Sequence, residues 1–371
     1  ARRVALQDPL VLAKGVVPRD SHADPSKVRD RRRLAGLGLL ALLGAWLGWP
    51  RVSRLLGRYA ESRRLRQEAS QRELAGRQER MLQLAEATAT RADACVLVLG
   101  TSGYWETEGA DQPHMQLPGR QDELVARVLT HARGPVAVVL NVGSPKSLPW
   151  ADYAPAVLLA TFGGEETAVA VADTLLGRSC PAGRLPTTWP RELLEVPPAT
   201  SWFAAAASGE LQKYAQGDIP YVEGLRFGYR GYGEGVPPPR FAFGHGLSYT
   251  RFEYGRLTVR LKVRCAEEHG PRASAHVEVC NAGLRAGAEV AQLYAAAGAD
   301  GLRALCSFGR SPVLQPGESA RFSFELDPRA LGRAYDGQAQ AWRQPQPGES
   351  VRVEVGASSA DVRGRATLVL E

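Results

Sequence analysis

Two apolar runs, Cys95-Val-Leu-Val-Leu-Gly100 and Pro135-Val-Ala-Val-Val-Leu-Asn141, constrain the fold of this chain more than any other feature. Neither alternates with polar residues, as expected of strands buried on both faces of a parallel sheet. Parallel neighbours need a crossover of a dozen residues or more, commonly a helix. The stretch between them supplies one, since residues 118–131 open on Pro118 and keep a helical period to His131. A third run, Ala156-Val-Leu-Leu-Ala160, is followed by a helical pattern over residues 164–177. Glu165 and Glu166 stand in its first turn, where the helix dipole favours anions, and Gly177 marks its stop. Strand, loop and helix alternating at this length predict an open α/β sheet. Sites in such sheets lie on loops beyond the strand C-termini, which is where the loop 101–117 falls.

The pattern changes twice. Residues 190–250 are irregular and crowded with Pro, Gly and aromatic residues. From about Phe252 short alternating segments take over, at 256–263, 276–280, 289–294, 321–326 and 350–355. Turn sequences such as Asn281-Ala-Gly283 and Pro316-Gly317 separate them, which predicts an all-β sandwich. Upstream, residues 53–92 are rich in Arg, Glu, Gln, Ala and Leu and read as a mostly solvated helix, amphipathic near Met81, Leu82 and Leu84. Three divisions result: a basic, largely helical or disordered segment over 1–92, an α/β domain over 93–250 and a β-sandwich over 251–371.

Charge follows these divisions. Residues 1–80 hold 18 Lys/Arg against 8 Asp/Glu, whereas the remainder holds 28 against 31. The basic character therefore belongs to the N-terminal segment. No basic helix with interleaved aromatics marks the rest as a nucleic-acid surface. Residues 34–49 form an unbroken apolar run after Arg31, Arg32 and Arg33. Its sixteen residues are short for a span of about 20, yet the basic flank suits a signal-anchor, so membrane contact through 34–49 is one expectation. That reading leans toward an extracellular or membrane-associated location; a chain start of foreign sequence is the other reading. The five cysteines include no Cys-x-x-Cys pair, so no zinc or other metal site is expected. One bridge among Cys265, Cys280 and Cys306 stays open. The glycine-rich stretches lack phosphate-binding context, and no cofactor is expected.

Three strings carry a family resemblance. The first is Trp105-Glu-Thr-Glu-Gly-Ala-Asp111 leading into Leu117-Pro-Gly-Arg-Gln121. The second runs from Gly163-Gly-Glu-Glu166 to Pro181-Ala-Gly-Arg-Leu-Pro-Thr-Thr-Trp-Pro190. The third joins Tyr221-Val-Glu-Gly224, Gly228-Tyr-Arg230 and Phe241-Ala-Phe-Gly-His-Gly-Leu-Ser-Tyr-Thr250. In this order they resemble the C-terminal α/β domain of glycoside hydrolase family 3. The β-region resembles the fibronectin-III-like domain that ends many members, through Val279-Cys-Asn-Ala-Gly283, Gly287-Ala-Glu-Val-Ala-Gln-Leu-Tyr294, Pro316-Gly-Glu318 and Val355-Gly-Ala-Ser-Ser359.

The resemblance implies a β-glucosidase-type activity, retaining hydrolysis of terminal β-D-glucosyl residues, with a β-glucoside or oligosaccharide as substrate. It makes Glu108 the general acid/base. Trp105, Glu106 and Asp111 become candidates for substrate contact. By residue type alone, three acids in a polar loop read as solvated side chains. Glu106 and Glu108 stand two apart and would share a face of an extended loop. Gln112 departs from the family, which usually has Arg there. The family's nucleophile is an aspartate on a preceding (β/α)8 barrel, and nothing in residues 1–94 resembles a barrel of roughly 250 residues. No nucleophile is therefore assigned, and the α/β domain is expected to be incomplete. The alternative is a non-catalytic, carbohydrate-associated or interaction module. His245 and Ser248 lack a nucleophile elbow, so their string is expected to pack rather than react.

Overall fold

The computed structural model describes residues 49–108, 112, 114–196, 223–233, 235–262, 272–297, 302–332, 334–336, 340–343 and 346–370. Residues 34–48 of the apolar run, and with them the expected membrane contact, lie outside the described residues, as do Asp111 and Cys265. Among the described residues no helix is long and apolar enough to cross a membrane. The chain forms two compact units. The first comprises Ala1–Gln112, Gln116–Gly143 and Leu148–Thr161; the second comprises Pro113–Met115, Ser144–Ser147 and Phe162–Glu371.

In the first unit, helix α1 (Trp49–Ala89) precedes strand β1 (Cys95–Gly100), helix α2 (Gln121–His131), β2 (Val136–Asn141) and β3 (Ala156–Leu159). The strands form a parallel sheet in the order β1-β2-β3, with Cys95 beside Val136, Gly100 beside Asn141 and Ala137 beside Ala156. The apolar runs thus become parallel strands, but β1 is not buried on both faces. Leu97 and Leu99 are buried, whereas Val96 and Val98 are 53% and 51% exposed. As an edge strand of a three-stranded sheet, β1 has few neighbours to cover its outer face. Val125 and Val128 of α2 and Leu82 and Ala89 of α1 are buried as well.

A carboxylate–guanidinium network joins the end of α1 to α2. Arg127 contacts Glu79, Glu86 and Glu123, and Arg120 contacts Glu79 and Glu123, all at 2.6–3.0 Å. Hydrogen bonds from Arg127, and then from Arg120, hold the Glu79 carboxyl below its ordinary range. These groups stay partly exposed, so solvent screening keeps each pair weak, and the multiplicity of donors gives the network its value.

The second unit begins with a 3-10 turn (Gly164–Glu166) that runs into helix α3 (Thr167–Leu175). A sandwich follows, made of β4 (Phe252–Tyr254), β5 (Thr258–Lys262), β6 (Arg272–Asn281), β7 (Val290–Ala296), β8 (Arg303–Arg310), β9 (Ser319–Leu326), β10 (Ala334–Asp336), β11 (Ala341–Arg343), β12 (Ser350–Gly356) and β13 (Val362–Val369). One sheet has the order β13-β12-β7-β8. In the other, β6 pairs with β9, β4 and β5, and β10 pairs with β11 separately. Alternation makes the core: Ala273, Ala275, Val277 and Val279 of β6 meet Phe322, Phe324 and Leu326 of β9. They share one cluster with Leu293 of β7 and Val351, Val353 and Val355 of β12. Cys280 and Cys306 are unbridged thiols.

Asn281 closes the end of β6 with every side-chain valence used. It is fully buried, donates to the carbonyls of Arg285 (2.7 Å) and Leu314 (2.8 Å), and accepts from Thr250 Oγ1 (2.6 Å) and Gly283 N (3.1 Å). A Cβ at Gly283 would collide with Thr250 Oγ1, which explains the glycine in that turn.

The irregular stretch before the sandwich is held against it by polar contacts. Arg184 pairs with Glu289 at 2.8 Å, with both side chains more than nine-tenths buried. Gln292 donates to the carbonyls of Gly244 and Ala357 and accepts from the Tyr294 hydroxyl at 2.6 Å. Tyr229 stacks on Phe243, meets Tyr294 edge-on and accepts a hydrogen bond from Leu305 N at 2.7 Å. His245 stacks on Phe241 at 5.3 Å. Ser248 Oγ contacts Cys180 Sγ at 3.2 Å. Both side chains make packing contacts.

Two outcomes follow from these contacts. Asn281→Asp sets carboxylate oxygens against two carbonyl oxygens in a buried site. It should cost about 3 kcal/mol or more and lower Tm by roughly 10 °C; a loss under about 1 kcal/mol in chemical denaturation would contradict the four-bond account. Burial, and next the nearby Arg184 charge, push the His245 imidazole below its ordinary value of 6.5, while Asp361 opposes them. The unfolded chain then binds the proton more readily, so this contribution is complete above pH 6.5 and is lost as pH falls through the depressed value. Denaturation of His245→Gln should show a flatter decline below pH 6.5; an unchanged slope would remove His245 from that dependence.

Candidate active site

The loop after β1 is closed at its base by a side chain. Gln121, the first residue of α2, accepts from Gly100 N (2.8 Å) and donates to Gly100 O (2.9 Å) and Pro118 O (3.0 Å). Its amide thus pairs with both backbone groups of the last β1 residue, as a neighbouring strand would. Thr101 N continues the ladder to Asn141 O at 3.1 Å. Beyond that point the chain turns sharply, with Trp105 N and Glu106 N both donating to Ser102 O, at 2.8 and 2.9 Å.

That turn separates the two glutamates. Glu106 folds back and one of its carboxylate oxygens accepts from Thr101 Oγ1 (2.6 Å) and from Gly143 N (2.9 Å), the latter just past the end of β2. Glu108 is exposed to solvent. The expectation of a shared face assumed an extended loop; the 102–106 turn overrides it and leaves the two residues in different surroundings. Tyr104 is 83% exposed, and Trp105 and Gln112 are half-buried. Asp111 lies outside the described residues. The structure therefore gathers Thr101, Glu106 and Gly143 into one cluster and leaves Glu108 two residues beyond it.

Sequence reading named neither Gln121 nor Thr101 as a site-shaping residue. Gln121 was visible only as the last letter of Leu117-Pro-Gly-Arg-Gln121, and nothing in that string tells which backbone group an amide will meet. Further along, Trp150 is buried and donates its indole N–H to Asp122 at 2.8 Å, fixing the first turn of α2. Lys146, also buried, donates to Ser144 Oγ at 2.8 Å.

Among the described residues no group of three or more His, Cys, Asp or Glu could hold a metal ion. A groove of about 700 Å³ in the second unit is lined by Pro181, Leu185, Phe243, Leu305 and Phe308 with Arg184 and Arg310, and its lining among the described residues includes no carboxylate. The loop after β1 places an exposed carboxylate, Glu108, beyond the C-terminal end of a parallel strand, where open α/β sheets present their chemistry.

Comparison with known proteins agrees with this architecture. Residues 28–249 match the glycosyl hydrolase family 3 C-terminal domain, and residues 289–359 match the fibronectin type III-like domain. A probable β-glucosidase J of Neosartorya fischeri is 37% identical over 273 residues, covering 70% of this chain and 30% of its own length. A β-glucosidase of Kluyveromyces marxianus, solved in complex with glucose, superposes with a TM-score of 0.69 at 30% identity, covering 79% of this chain and 34% of that one. β-Glucosidase 3B of Thermotoga neapolitana, solved in complex with α-D-glucose, gives 0.64 at 30% identity, covering 78% and 39%. The chain spans about 30% of the length of the curated relatives it matches. With the open α/β sheet and the sandwich both matched by family, the chain belongs to glycoside hydrolase family 3, as an α/β portion followed by its fibronectin type III-like domain.

Proposed function

We propose that this chain contributes the general acid/base of a β-glucosidase-type retaining hydrolase, that Glu108 is that residue, and that the substrate is a β-glucoside or β-linked oligosaccharide. The observation that carries the reading is the setting of Glu108, an exposed carboxylate on a braced loop leaving the C-terminal end of β1. The similar solved β-glucosidases support the reaction class.

In a retaining hydrolase one carboxylic acid protonates the glycosidic oxygen as the bond to the anomeric carbon breaks. As a carboxylate it then takes a proton from the water that attacks the glycosyl–enzyme intermediate. The residue must reach the leaving oxygen and then stand beside water, which suits a loop better than a buried strand. The exposed ring of Tyr104 and the half-buried Trp105 give the loop apolar faces against which a pyranose ring could lie. The second carboxylate of the pair, placed about 5–5.5 Å away in this mechanism, is assigned to no residue of these 371. The non-catalytic alternative rests on the same gap and is decided by the same measurement.

In an active form that carries this sequence, Glu108→Ala should slow glucosides with poor leaving groups by about 10²–10⁴-fold, and activated aryl glucosides far less. Azide should partly restore turnover of the activated substrates. Equal loss on both substrate types would remove the acid/base assignment. The 371-residue chain alone should show no glucosidase rate above a heat-killed control; a rate that disappears in Glu108→Gln would show that its partner carboxylate lies within the chain.

A further inference from the structure

We infer that Glu106 is a positioning residue: one oxygen of its carboxylate latches the loop that carries Glu108 to the ends of β1 and β2. Its catalytic meaning rests on Glu108 acting as proposed above; the latch itself does not.

One Glu106 carboxylate oxygen takes two hydrogen bonds from different elements. Thr101 Oγ1, one residue past β1, donates at 2.6 Å, and Gly143 N, two residues past β2, donates at 2.9 Å. Adjacent parallel strands diverge into unrelated loops at their C-terminal ends, where the ladder stops. A carboxylate bridging both exits extends their pairing by one step without a strand. Charge-assisted bonds of this kind are about twice as strong as neutral ones, and a backbone N–H left without its acceptor carries a penalty of its own. The turn at Ser102 shortens the path, because two successive amides, Trp105 N and Glu106 N, converge on one carbonyl.

The consequence for Glu108 is geometric. Two residues separate it from the latch, so its reach is limited to about 7 Å from a fixed point. The latch works beside a second brace, Gln121, whose amide clasps Gly100 from the far side of the loop. A proton donor must stay within hydrogen-bond reach of the glycosidic oxygen, so the latch reduces the conformations that chemistry would have to select. Both donors fall on the same Glu106 oxygen, so that oxygen is committed to the brace.

Hydrogen exchange followed by mass spectrometry on the full chain tests the latch without any activity. Glu106→Ala should raise exchange of the amides in 102–108 and of Gly143 by about tenfold, with Tm within about 2 °C of the parent. Glu106→Gln keeps an oxygen that accepts from both donors and should stay within about twofold of the parent. Thr101→Val should fall between the two. Unchanged exchange in Glu106→Ala overturns the inference, and so does Glu106→Gln exchanging as fast as Glu106→Ala, because an acceptor kept in the bridging position would then fail to hold the loop. A Tm loss well above 2 °C in Glu106→Ala would also overturn it, marking a general fold contact. Failure of azide rescue at Glu108 would remove the proposed chemistry while leaving the exchange result standing, so the two readings can fail separately.

Discussion

The guanidinium of Arg184 and the carboxylate of Glu289 meet at 2.8 Å with almost no access to solvent, and they tie the irregular stretch to the sandwich of the second unit. Withdrawing two charges from water costs several kcal/mol for each, offset only when geometry is good and the remaining polar atoms find partners. Glu289 has help: the Tyr254 hydroxyl donates to it, and its backbone exchanges hydrogen bonds with Ser311 on both sides. Arg184 has less, since its Nε is buried without a hydrogen-bond partner. The pair is thus a poor device for raw stability and a good one for register. Apolar surfaces can slide over one another, whereas this contact is satisfied in a single placement of residues 181–190 against β7.

Glycines let that placement exist. A Cβ at Gly244 would strike the Gln292 side chain, and one at Gly246 would strike the Gly183 carbonyl. Gly244 also sits at φ +80°, a conformation that L side chains rarely adopt. The string Phe241-Ala-Phe-Gly-His-Gly therefore alternates rings that pack with glycines that make room. Phe241 stacks on His245, and Phe243 on Tyr229. The burial that lowers the His245 pKa follows from the same closeness.

Much of this was legible in the sequence, for reasons that differ by element. The three parallel strands were readable because short unbroken apolar runs next to Gly, Asn or Pro have few other uses. The strands at 276–280 and 321–326 were readable because alternation survives in them. Strands β8 (Arg303–Arg310) and β13 (Val362–Val369) were not named, since Arg, Ser and Gly occupy much of each and their pattern is weak. At the site, residue type located the loop but not the separation of its two glutamates. Spacing of two suggests a common face only while the backbone is extended, and the turn on the Ser102 carbonyl is a backbone event with no side-chain signature. Gln121 was hidden for a related reason: what it does depends on Gly100, twenty-one positions away.

The division between Glu106 and Glu108 also bears on what a single chain of this kind can do. Double displacement requires two carboxylates with opposite tasks about 5–5.5 Å apart, one attacking carbon and one moving a proton. Glu106 is close in sequence, yet one of its oxygens already satisfies two donors, and withdrawing it toward a sugar would strand the Gly143 amide. An acceptor held in place by two donors is suited to bracing a loop and badly suited to bond formation. On the proposed reading, the loop couples a carboxylate held by two donors, Glu106, with an exposed one, Glu108, that moves the proton. Rigidity near the strand ends and exposure two residues further on serve one requirement, since a proton donor must be close to its target without being buried by the scaffold that places it.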